Sequence, residues 1–148
     1  MDRLVNYKYS ELIGYSFSII PDKIVDRIKY THFLTGTDPI YAGLHNYRDT
    51  IDNRSYRNTP HVTYPYHQRI SKHTTIVLPS LVTPCVVIHE LGHVLDESLN
   101  FTFMSKPSTE YAKTNRRESF AEAFTSWLFW DYGNLDFETE YFLESLCI

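Results

Sequence analysis

The chain has few of the residues that staple or punctuate small proteins. Of its 148 residues only Cys85 and Cys147 are cysteines, far apart in sequence, which excludes a disulfide framework. No apolar run approaches the ~18 residues needed to cross a bilayer, and the start carries no basic segment followed by an apolar one. No secretory signal and no membrane partner are expected, so the cytoplasm is the default location, with export by a signal-less route or action inside a host cell as the alternatives. Charge of one sign is scarce too: a net charge of −4 offers no basic face for nucleic acid and steers a basic ligand only weakly. Repeats, low-complexity tracts and long linkers are absent. Residues 1–148 therefore read as a single domain, monomeric, able to bury roughly two thirds of its surface. Aromatics are abundant at 16%, with 12 Tyr and 9 Phe, an excess read as core rather than cofactor contact.

The punctuation that does exist divides the chain into elements. Pro21 opens a short amphipathic helix over 21–29. Gly36, Pro39 and Gly43 interrupt apolar residues over 30–47, which suggests short strands joined by turns. Residues 49–69 are polar and Tyr-rich, with Asn53, Asn58, Pro60 and Pro65, and read as a long loop that would wall a cleft. Residues 74–78 form a strand closed by Pro79. Thr83 and Pro84 then start a helix as N-cap and first residue, running to about Leu99. A second strong helix covers 115–131, with Gly133 as its stop signal, and 138–146 forms a last short one. Helix, then strands, then helices is an α+β order, not an alternating βαβ one.

One short stretch carries chemistry. His89-Glu90-Leu91-Gly92-His93 reads H-E-x-x-H, a pattern that 7 His among so many acidic residues can produce by chance, so context must decide. At about 100° per residue the two histidines project within about 40° of each other, with Asp96 on the same side. Val87, Leu91, Val94 and Leu95 fall opposite and can bind the helix to a core. Two imidazoles one turn apart on a buried helix suit zinc, and Glu90 beside them can take a proton from a metal-held water. A merely solvated His/Glu face would carry Lys or Arg, and none occurs between Pro84 and Asn100.

A catalytic zinc usually has three protein ligands and one open position. Downstream, Glu118 and Glu122 lie one turn apart, with Phe120, Phe124 and Trp127 on the other face. Glu118 could instead be the glutamate of a capping box begun by Asn115. That leaves Glu122 unexplained in a helix apolar enough to be buried on both faces, and a buried carboxylate needs a metal, a cation or a donor. The ligand reading of Glu118 is favoured.

HELGHVLDES followed by YAKTNRRESFAEAF resembles the catalytic domain of anthrax lethal factor and its relatives, gluzincin metalloproteases related to the Pro-Pro endopeptidases. The matching positions are His89, Glu90, Gly92, His93, Asp96, Tyr111, Thr114, Asn115, Glu118 and the block Phe120-Ala121-Glu122-Ala123-Phe124. The likeness is specific over 86–129 and looser upstream, through the preceding strand and Tyr41-Ala42-Gly43. It implies that His89, His93 and Glu118 hold zinc and that Glu90 activates the water. It implies further that Tyr111 donates to the oxyanion of the tetrahedral intermediate, while Glu122 and Asp96 hydrogen-bond the ligand histidines. It also implies a zincin-like fold, in which the strand before the active helix is a sheet edge. Thr75, Ile76 and Val77 would then pair an extended substrate by strand addition. With one domain only, the narrow substrate choice of larger members is not implied.

The resulting expectation is a single-domain zincin-like α+β endopeptidase acting on a protein or peptide. The alternatives are a catalytically idle, zinc-stabilised protein-interaction domain and a metal-free helical module. Cys85, one turn before His89, reads as a small buried residue rather than a fourth ligand. His61, His67 and His73 lack ligand spacing and read as surface residues, and Arg116 and Arg117 read as a solvated helix start.

Overall fold

The computed structural model describes residues 7–35, 62–64, 74–78 and 83–148. Helices dominate these: five α-helices against a small sheet. Helix α1 (Tyr7–Ser18) was not foreseen, and α2 follows it as Asp22–Ile28. Pro21 sits just outside α2 rather than within it, and its carbonyl accepts from Ile24 and Val25 N–H, both at 3.0 Å. Ile24 and Ile28, one turn apart, are the buried residues of α2, as an amphipathic helix requires.

Three strands follow, β1 (His32–Thr35), β2 (Val62–Tyr64) and β3 (Thr75–Leu78), in the spatial order β1-β3-β2. β1 runs parallel to β3, pairing His32 with Thr75, and β2 runs antiparallel, pairing Val62 with Val77. This corrects the assignment of β3 as the substrate-binding edge. Thr75, Ile76 and Val77 have a strand on each side, so no row of backbone groups is left there for an extended peptide. Strand β2 also replaces part of the loop expected over 49–69. The rest of that loop, Tyr41-Ala42-Gly43, and His61, His67 and His73 lie outside the described residues.

Helix α3 (Pro84–Ser98) lies against α1, α2, β2 and β3. It begins as its sequence dictates: the Thr83 hydroxyl accepts from Val86 N–H, and Pro84 occupies the first turn. Val87, Ile88, Leu91 and Leu95 are fully buried, in one core with Ile24, Ile28, Phe33, Ile76 and Leu78 on one hand and Phe120, Phe124 and Leu143 on the other. α3 ends with Asn100 and Phe101 both left-handed, at φ 58° and 56°, and Phe101 N–H closes the end on Asp96 O at 3.0 Å. A single turn of 3-10 helix (Tyr111–Thr114) leads into α4 (Arg116–Leu128), and α5 (Phe137–Ser145) completes the chain. Phe142 stacks on Phe103, centroids 3.9 Å apart, and seats α5 with the buried Leu143. No helix among the described residues is long and apolar enough to cross a membrane.

Two glycines set how closely the chain packs. A Cβ at Gly92 would lie 3.0 Å from Ala121 Cα, so glycine inside the motif lets α3 and α4 approach backbone to backbone. Gly133 does not act as a left-handed stop, because φ is not positive at any described glycine and α4 already ends at Leu128. Its role is space: a Cβ there would meet Ser108 O at 2.6 Å.

Candidate metal centre

The close contact at Gly92 brings the polar face of α3 against the first turns of α4. Asn115 caps α4 by accepting from Glu118 N–H at 2.9 Å, so the backbone of Glu118 serves the cap while its carboxylate turns to α3. There Glu118 Oε1 lies 2.9 Å from His89 Nε2 and 3.2 Å from His93 Nε2. The two rings meet edge to face, with centroids 4.9 Å apart. One donor atom from each of His89, His93 and Glu118 lies within 4.8 Å of the others, a group able to hold a metal ion. The carboxylate and His93 are buried, and the His89 side chain keeps 13% of its surface exposed.

Glu122, one turn along α4, meets the other nitrogen of the same histidine: its Oε2 lies 2.7 Å from His89 Nδ1. Burial works against charge on His89, but the hydrogen bonds to Glu118 and Glu122 outweigh it and raise the pKa to about 10. Burial likewise opposes charge on both carboxylates, and their histidine partners nonetheless hold them below the usual range. Both His89 nitrogens thus face carboxylate oxygens, which without a metal only a doubly protonated ring satisfies. A divalent cation at Nε2 replaces one of those protons and leaves Nδ1–H for Glu122, so the residues fit such an ion.

The remaining sequence-predicted residues fall as follows. Glu90 is buried beside His89 and is not a member of the ligand group. Tyr111 is 52% exposed, with its ring centroid 6.0 Å from that of His89, so it borders the site rather than packing in the core. Asp96 is fully buried, and its partner is Arg116, not a ligand histidine. Asp96 Oδ1 and His93 Nδ1, three residues apart on α3, are both buried without a hydrogen-bond partner among the described residues. Burial pushes the Asp96 carboxyl up against the opposing pull of Arg116. Arg116 and Arg117 are therefore not a solvated helix start. Arg116 also donates to Phe103 O, Arg117 is buried, and both guanidiniums lie over the Phe101 ring. Cys85 is half-buried, with its thiol pushed up by burial and by Asp131 and Glu122.

Sequence reasoning missed two residues at the site. Thr109 Oγ donates to Glu122 Oε1 at 2.6 Å, and Tyr132 Oη donates to Glu122 Oε2 at 2.8 Å. Only the need of a buried Glu122 for donors pointed toward them, and it could not say which residues supply those donors. Compared with known proteins, the chain matches no family model, and no curated protein or solved structure matches it significantly.

Proposed function

We propose that the chain is a zinc-dependent endopeptidase of the gluzincin type, with a zincin-like fold and relatives such as the anthrax lethal factor catalytic domain. The observation that carries this reading is the convergence of His89, His93 and Glu118 within 4.8 Å. Two nitrogen donors and one oxygen favour zinc over calcium or magnesium, which take oxygen sets. Zinc bound there supplies a Lewis acid that acidifies water and polarises a carbonyl. Glu90 takes the proton of the attacking water and passes it to the leaving amine. Tyr111, exposed beside His89, donates its hydroxyl to the developing oxyanion. The substrate is a peptide or protein segment, and the enzyme acts as a monomer. Among the described strands β1 and β2 are the edges, so an extended substrate adds to one of these rather than to β3.

The buried Glu90 also weighs against an idle structural zinc, which has no use for a base and normally takes a fourth protein ligand. The test is Glu90→Gln. It should retain about one zinc per chain and the fold, while hydrolysis of a peptide library falls by about 10² to 10⁴. Zinc bound without any cleavage by the wild type would leave the idle domain as the better account.

A further inference from the structure

Glu122 is held from two sides by chain segments distant in sequence. Thr109 precedes α4 and Tyr132 follows it, yet Asn134 N–H bonds Ser108 O at 2.9 Å and Ser108 Oγ meets Ser126 Oγ at 3.0 Å. Gly133 makes this juncture possible, since a Cβ there would also lie 2.8 Å from Thr109 Cγ2 and from Ser126 Oγ. The two hydroxyls then converge on the carboxylate that accepts from His89 Nδ1. The Thr109 hydroxyl has a second role. While donating to Glu122 it accepts from Ala112 N–H at 3.1 Å, which anchors the turn Tyr111–Thr114.

We propose that Thr109 and Tyr132 are positioning residues that clamp Glu122 and thereby orient His89 for metal binding, and that Thr109 additionally ties this clamp to the turn that places Tyr111. The clamp rests on the metal-site reading above, and its Tyr111 arm rests on the peptidase reading. A carboxylate with one unsupported oxygen can rotate away from the imidazole, and the ring it orients is then free to turn its Nε2 from the ion. Tyr132 contributes to the clamp alone. Thr109 joins the clamp to the oxyanion donor, so its loss disturbs two parts of the site at once.

The experiment compares Thr109→Val, Thr109→Ser, Tyr132→Phe and the Thr109→Val/Tyr132→Phe double variant. Zinc affinity is read by chelator competition, thermal stability serves as a control, and peptide turnover is read at saturating zinc. Thr109→Val and Tyr132→Phe should each raise the zinc Kd by about 10-fold or more, and the double variant further. Thr109→Ser keeps the hydroxyl and should restore the affinity, which a loss of packing would not allow. Turnover at saturating zinc should fall more in Thr109→Val than in Tyr132→Phe. Zinc affinities within twofold of wild type in both single variants and the double would overturn the clamp, and equal turnover losses would overturn the link to Tyr111. A wild type that binds zinc but cleaves nothing sinks the peptidase reading and the Tyr111 arm, while the affinity arm still decides the clamp. A wild type that binds no zinc removes both.

Discussion

At the C-terminal end of α3, the Asp96 carboxylate is buried against Arg116 from α4. One to two turns earlier on the same helix, the largely buried His89 and the buried His93 face Glu118 and Glu122, also from α4. Both clusters bridge one helix interface and both bury carboxylates, but they balance charge differently. The first contains its own cation, a guanidinium that also holds Phe103 O and so ties down the chain leaving α3. The second gathers Glu90, Glu118 and Glu122 around two imidazoles, on a helix α3 that itself carries no Lys or Arg. A cluster that completes itself stabilises the fold. The His-His-Glu group is a possible metal site instead, and the difference can be read from which side chains each was given.

Removing one member of each cluster should separate these roles most clearly. His93→Ala is expected to abolish stoichiometric zinc binding and, with it, peptide hydrolysis, as measured by metal analysis after dialysis. Glu118→Gln should weaken zinc binding strongly without unfolding the domain, because the cap of α4 uses the backbone N–H of residue 118 and not its carboxylate. Full metal occupancy in Glu118→Gln against a competing chelator would show that the carboxylate is no ligand.

Asp96→Ala should act on stability rather than on metal. It leaves Arg116 unpaired at a largely buried position and is expected to cost roughly 3 kcal/mol in denaturant unfolding, with Arg116 partly in solvent. The paired exchange Asp96→Leu with Arg116→Met should recover most of that loss, since apolar replacement of a buried ion pair is often neutral. Zinc affinity that collapses in Asp96→Ala at temperatures where the variant is folded would mean the two clusters are not separable.

The smallest change touches what the clusters share. Gly92→Ala adds a Cβ 3.0 Å from the backbone of Ala121, forcing α3 and α4 apart. Overpacking of this kind costs about 1–3 kcal/mol, offset by up to about 1 kcal/mol from the better helix propensity of alanine. Thermal unfolding should register the difference, and zinc affinity should fall modestly because Glu118 retreats from both histidines. An unchanged melting temperature and affinity would show that the helices have slack at this contact.

The sequence alone determined what lies within one helix. The spacing of His89 and His93, the adjacent Glu90, the start of α3 at Thr83 and Pro84, and the one-turn offset of Glu118 and Glu122 are fixed by the 3.6-residue period and by cap chemistry. These are local rules, and the structure keeps them. Weak or short elements were not legible. The α1 segment YKYSELIGYSFS mixes Gly14, three serines and aromatics, so its own propensity is poor, and burial of Ile13 and Ser16 by the tertiary packing decides that it is a helix. Strand β2 spans three residues near Pro60 and Pro65, and its pairing with β3 exists only once β3 is in place. Whether β3 lies at an edge or in the middle is a property of the sheet, not of any strand. Only the tertiary structure, likewise, could reveal that Asp96 belongs to Arg116 and that Thr109 and Tyr132 meet on Glu122. Such contacts join residues far apart in the chain, and no local periodicity encodes which distant hydroxyl satisfies a buried carboxylate.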